Sequence, residues 1–377
     1  ARIVIDSCTV DLGVYNDGLF RISGELEISN LDSTEEQAML NLDTVRIDTT
    51  GNIIIFNINN KGINNEGYFS CFGDIDIKHN GDWSIDNNNL FILDSGMIFL
   101  DSIDSGIINR KIFENRLNGS ITIGYTTRNF GFYNNSSFFD PGSFHNYGIL
   151  AFEDLANKAL INNFYSEFHN TGTLSFRDKF QTTMGSSTGP RVCLDNQNKF
   201  YNHPGGIFII DSINVDGIMN QDSFVNEGMV SMNEIGGHAI VNSGDFMNKD
   251  SLIISFLDST AIINESEGLI ENQGFMSIDS TKESGIINDG SFVNKDEFRM
   301  RNNGESGIIN KHYFSNETSG NITIQNLSSN RDALYNFGDT STFLNNGSIY
   351  LDRISGNGIL NIGTFTNNDS IILGNIA

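Results

Sequence analysis

The chain has 377 residues, only 22 of them Lys or Arg against 47 Asp or Glu, for a formal charge of −25 at neutral pH. Such an acidic surface serves solubility and argues against nucleic acid and anionic membrane surfaces as partners. No apolar run reaches the ~18 residues of a membrane-spanning helix, and short runs punctuated by Gly and Asn lack helical spacing.

The chain opens on Ala1-Arg2-Ile3, and Ile3 and Ile5 match the last strand of the repeat described next. A processed secreted product and a fragment of a longer protein both fit that start. From Asn16 one motif then recurs: small, apolar, apolar, Asn, with Phe four residues on, Asn two later, and an apolar-x-apolar pair. It is cleanest at Gly217-Ile218-Met219-Asn220 with Phe224 and Asn226, and at Gly285-Ile286-Ile287-Asn288 with Phe292 and Asn294. The motif Asn falls at Asn16, Asn41, Asn65, Asn87, Asn109, Asn134, Asn162, Asp195, Asn220, Asn242, Asn264, Asn288, Asn310, Asn336 and Asn361. The tightest spacing, Asn87 to Asn109, is 22 residues. A fixed period of this size marks a solenoid.

Three strands of three or four residues fit one coil, with side chains alternating in and out. The reading is all-β: a right-handed parallel β-helix of about fifteen coils, each of 22 or more residues. It treats residues 1–377 as one solenoid domain, a rod on the order of 70 Å long at ~4.8 Å per coil. Enlarged turns are expected near 135–142 and 177–190, the second spanning Arg177 to Pro190.

Like residues falling on like predicts a ladder of core side chains. Phe113, Phe224, Phe246, Phe292 and Phe314 should fill the bore. Asn226, Asn248 and Asn294, with the motif residues Asn220, Asn242 and Asn288, should pair amide to amide at the corners. In the first four coils the second corner is apolar: Ile22, Ile47, Cys71 and Leu93. Cys71 reads as a buried small hydrophobe. Three residues before the motif Asn stands Gly or Ala, as at Gly106, Gly131, Ala159, Ala239, Ala261 and Gly307, which a tight turn or a close backbone approach demands.

Two apolar residues precede nearly every motif Asn, as in Ile107-Ile108, Leu160-Ile161 and Ile286-Ile287. In a strand one of each pair points outward. Either a bend turns both inward, or a stripe is left for another chain to cover. Tyr201, Val225, Met247, Val293 and Leu344, outward on the second strand, extend that candidate lateral interface. Neither end carries a polar cap, so open strand edges are expected to invite end-to-end pairing.

Signals for chemistry are sparse. His145 and His169 occupy one outward position on successive coils, with no acidic residue obviously beside them. The outward third-strand residues Thr122, Ala151, Ser175, Phe208, Ser231, Ile253, Ser277 and Thr323 form a small, neutral face rather than the clustered carboxylates of a polysaccharide lyase or hydrolase. Asp101, Asp211, Asp279 and Asp352 follow third strands and read as turn formers, with calcium coordination as the alternative. No catalytic residue and no cofactor is predicted.

The Gly-Ile-Ile-Asn-x-Gly-x-Phe-x-Asn-x-Gly-x-Ile-x-Ile rhythm is clearest at Gly13 to Ile28, Gly285 to Asn294 and Gly358 to Asn367. It resembles the repeats of bacterial surface adhesins, in particular large secreted β-helix proteins of Bacteroidetes. The resemblance covers essentially the whole chain. It implies an extracellular or cell-surface location and a structural or adhesive role. The expected function is a non-enzymatic building block that self-associates into a fibre, sheath or surface layer. An adhesin segment binding glycans is the alternative, and a polysaccharide-active enzyme a third reading.

Overall fold

Apolar runs that stop at Asn or Gly after three residues cannot sustain a helix, so the chain pairs each run with its copy one coil away. A computed structural model describes residues 1–7, 12–31, 37–126, 130–154, 158–177, 192–327 and 330–376. It shows a right-handed parallel β-solenoid. The chain divides into two compact units, Ala1–Phe200 and Tyr201–Ala377. The predicted turn at 177–190 falls, beyond Arg177, outside the described residues, as does Cys8.

A representative coil of the second unit comprises Ile240–Asn242, Asp245–Asn248 and Ser251–Leu257. Each strand pairs in parallel with its equivalent: Ile240 with Ile262, Phe246 with Ile270, Leu252 with Met276. The third strand is longer than the sequence suggests. It continues through a left-handed residue, here Phe256 at φ 55°, and still pairs beyond it, Leu257 with Thr281. The corner recurs at Ser212, Glu234, Ser280, Asn302, Asn326 and Arg353. A single left-handed residue is affordable for most side chains when the flanking ladder holds it. In the first unit the second and third strands of two coils run together, as Leu90–Asp101 and Ile112–Ile123.

The bore is filled as the repeat implies. Phe224 stacks on Phe246 at 4.7 Å, and Phe292, Phe314 and Phe343 stack at the same spacing within 5° of parallel. In the first unit Phe69, Phe91 and Phe113 stack at 4.5 Å, but Phe113 and Phe144 are tilted by 42°. Phe132 is the cause. It occupies the inward first-strand position held by Ile107 and Leu160 in neighbouring coils, and meets Phe144 edge-on at 4.6 Å.

Two amide ladders line the corners. The Nδ2 of Asn220 donates to Oδ1 of Asn242, which donates to Asn264, and so on through Asn288 to Asn310, each at 2.7–2.8 Å. At the second corner Asn202, Asn226, Asn248, Asn272, Asn294 and Asn316 do the same at 2.8 Å. Most of these amides also donate to a carbonyl of the next coil, as Asn226 does to Ser251 O at 3.0 Å. Each net bond contributes about 1 kcal/mol, and an orphaned buried partner costs about 1–3.

The first-corner ladder overturns one assignment. Asn162 donates to Asn196, not to Asp195, and the strands pair Asn162 with Asn196. Taking Asn196 as the motif residue restores the four-residue spacing to Phe200. At the apolar second corner of the early coils, Ile47, Cys71 and Leu93 are fully buried. The Cys71 thiol donates to Gly73 O, two residues on, just as Asn248 donates to Asp250 O. Burial, the largest cause, pushes its pKa up to about 12.

The small residue before each motif is explained by crowding. A Cβ at Gly131 would lie 2.7 Å from Ala159 O, and one at Gly307 2.6 Å from Ala333 O. Neither residue has positive φ, so close approach rather than a turn sets the requirement.

Candidate functional site

The outer faces of the coils are where two copies, or a ligand, can meet the protein. The first-strand sheet presents one outward residue per coil. In the second unit the register lines up Met219, Val241, Ile263, Ile287, Ile309, Tyr335 and Leu360. All are half-buried, while their inward neighbours Ile218, Ile240, Ile262, Ile286, Ile308 and Leu334 are buried. Alternation therefore holds, and no bend turns both residues of the pair inward. What remains is an unbroken apolar row.

The same row in the first unit reads Tyr15, Leu40, Asn64, Asp86, Ile108, Tyr133, Ile161 and Asp195. Here polar residues interrupt it, and it is largely sealed. Asp86 is 1% exposed. Its carboxylate accepts from Lys61 Nζ at 2.6 Å, from Asn88 Nδ2 at 3.2 Å and from Arg110 Nη1. Asp195, equally buried, is held by Lys158 at 2.6 Å and Gln197 at 3.0 Å. A buried carboxylate persists only when so paired. Ile108 and Ile161 are buried beside these networks, and Trp83 lies over Tyr133 with rings 6.2 Å apart.

The second-strand face is more broken than the sequence suggests. Tyr201, Val225, Met247, Val293 and Leu344 are all half-buried on it. Yet the register from Val225 reads Val225, Met247, Glu271, Val293, Ser315, Leu344. Partial burial pushes the Glu271 carboxyl up, but its bonds to Lys295 and Gln273 more than offset this and hold it below the usual range. A charged pair thus sits in the middle of that face.

The third-strand face requires one correction. Phe208 points inward and is fully buried; Ile209 takes the outward place, in line with Ser231 and Ile253. The turn His203-Pro204-Gly205-Gly206, with Gly205 at φ +85°, makes the coil two residues longer, so Phe208, six residues after Asn202, stands in register with Val230, four after Asn226. The row continues through Ser277, Arg299, Thr323 and Tyr350, with no paired carboxylates on it. In the first unit Thr122, Ala151 and Ser175 align as expected.

His145 and His169 do stack, with ring centroids 4.6 Å apart and planes within 3°. Contrary to expectation an acid accompanies them: Glu167 Oε2 lies 3.4 Å from His169 Nε2. Among the described residues no group of three or more His, Cys, Asp or Glu could hold a metal ion. The turn acids are occupied by cross-coil bonds. Asp101 Oδ1 accepts the Tyr125 N–H at 3.1 Å, Asp211 accepts from Asn233 at 2.9 Å, and Asp279 from Asn302 at 2.8 Å. Asp352 accepts the backbone and side-chain N–H of Asn375, which lowers its pKa. Among the described residues no helix is long and apolar enough to cross a membrane.

Comparison of the chain with protein-family models, with curated proteins and with solved structures gives no match.

Proposed function

We propose that the chain is a non-enzymatic structural protein whose copies pack side by side through the first-strand row of the second unit, building a fibre, sheath or surface layer. The observation that carries this reading is the unbroken run from Met219 to Leu360. Apolar residues scattered singly need no explanation, but a contiguous row at about 4.8 Å intervals is the signature of a contact face. Burying it against a second copy contributes roughly 25 cal/mol per Å² of apolar surface removed from water.

The resemblance to secreted β-helix proteins of bacterial surfaces supports placing this assembly outside the cell. The charge of −25 sets the conditions. Like copies repel at low ionic strength, and salt screens that repulsion over about 10 Å at 0.1 M. Light scattering coupled to size exclusion, run across protein concentration and salt, tests the proposal. Mass rising with both, and ordered assemblies in negative-stain images, are expected. A monodisperse monomer at high concentration and moderate salt would refute it.

A further inference from the structure

The enlarged turn between the first and second strands of one coil, residues 135–141, has features that lateral packing does not use. Ser137 and Asp140 form an isolated antiparallel bridge that carries Phe138 and Phe139 at its tip. The base of the turn is pinned to the next coil: the Ser136 hydroxyl donates to Tyr165 O at 2.6 Å, and its N–H to Ser166 Oγ at 3.0 Å. Phe138 is 68% exposed and Phe139 93% exposed. Tyr165, itself half exposed at φ 69°, meets Phe138 edge-on at 5.4 Å, and Phe164 beside it is also exposed. Four exposed aromatic rings, two on this turn and two on the corresponding turn of the next coil, stand out against a chain whose other phenylalanines mostly line the bore.

Asn135, Ser136, Ser137 and Asp140 of the same turn line, with Asn88, Arg110 and Lys111, a hollow of about 330 Å³. Its polar groups are held in place. Lys111 Nζ pairs with Asp140 Oδ2 at 2.7 Å, and Asn163 donates to Asn135 Oδ1 at 2.8 Å, fixing the Asn135 amide. The Arg110 guanidinium is anchored through Nη1 by Asp86 and Asn88. The Asn135 Nδ2, the Ser137 hydroxyl and the other Arg110 N–H groups make no hydrogen bond among the described residues. The hollow thus offers fixed donors, and the Asp140 carboxylate as acceptor, on the turn whose residues Ser137 and Asp140 flank the exposed Phe138 and Phe139.

We propose that this turn binds a neutral oligosaccharide. The C–H face of a sugar ring lies against Phe138 or Phe139, and its hydroxyls reach Asn135, Ser137 and Asp140 in the hollow. Small concave sites with a few convergent polar groups suit such a ligand. Both cations lining the hollow are already engaged, Arg110 by Asp86, which it shares with Lys61, and Lys111 by Asp140, so neither is left free to pair with a uronate. The overall charge of −25 disfavours an anionic glycan further. A protein partner would need about 1,000 Å² of matching surface, far more than a two-residue tip and a small hollow provide. The inference is independent of the lateral row, which lies in the other unit.

The test is saturation-transfer NMR and calorimetry with short gluco-, manno- and xylo-oligosaccharides, with oligogalacturonate as the anionic arm. At least one neutral series should bind. The double variant Phe138→Ala/Phe139→Ala should weaken it about tenfold or more, and Ser137→Ala severalfold, with melting temperatures unchanged because these side chains are exposed. No neutral binding at millimolar sugar would overturn the proposal, as would binding of oligogalacturonate alone. So would neutral binding that survives the double variant. Self-association of the chain abolished by the double variant, without any sugar binding, would assign the platform to a protein contact instead.

Discussion

The two units use one coil but finish its outer face in opposite ways. In Tyr201–Ala377 the outward first-strand position is apolar in every coil from Met219 to Leu360 and stays half-buried. In Ala1–Phe200 the same position holds Asn64, Asp86 and Asp195, and Lys61, Arg110 and Lys158 close over the carboxylates. The inward face cannot vary in this way, because every coil must stack on the next. The lesson is that the fold is set by the inward rows, while the outward row is free to become either a sealed surface or a contact face.

The largest expected effect falls on what the units share. Phe246→Asp buries a lone charge between Phe224 and Ile270 and should abolish cooperative unfolding of the second unit, seen as loss of the β-type circular-dichroism melt. Phe91→Asp should do the same in the first unit. An unchanged melt in either variant would contradict the inward assignment. Next comes the ladder. Asn248→Leu removes the acceptor of Asn226 and the donor to Asn272, and should cost about 2–4 kcal/mol by denaturant titration.

Swapping the outer rows sharpens the contrast at smaller cost. Asp86→Ile gives the first unit the residue type of the second. Because Lys61 and Arg110 are partly exposed and can turn to water, its stability should change by only about 1 kcal/mol, while association rises. A large loss of stability would show that the sealed network supports the fold. The smallest effects are electrostatic. The Arg21 hydrogen bond holds Asp48 below its ordinary pKa, and bonds from Asn30 and Ser29 do the same for Asp6. Lowered folded-state values mean that their stabilisation is present above the unfolded pKa and fades as the pH falls through the folded one. Thermal melts should therefore weaken only in acid, below about pH 4. Cys71, its thiol pushed up to about 12, should resist thiol reagents at neutral pH until the protein unfolds.

The inward architecture was legible because stacking repeats one residue type at one phase: Asn226, Asn248 and Asn294 could be placed without coordinates. Errors came where a coil gains residues or offers two candidates. Asp195 and Asn196 both end an apolar run, and only the spacing to Phe200 separates them. The His203–Gly206 turn adds two residues, so Phe208 aligns with inward Val230 and Ile209 with Ser231. The Lys61–Asp86–Arg110 network was hidden because its members lie a full coil apart in sequence and look like unrelated surface charges. Aligning the chain coil by coil puts Asp86 between Asn64 and Ile108, and that is the signal that would have exposed it. Nor could the Ser137–Asp140 bridge be read from an enlarged turn, since nothing in the repeat fixes how extra residues fold back.

The most direct test of the account is sedimentation velocity on the chain and on Ile263→Lys/Ile287→Lys, two outward substitutions in the middle of the apolar row. The parent chain should associate as its concentration rises, and the double variant should stay monomeric with an unchanged melting temperature. Equal association of the two proteins would contradict it.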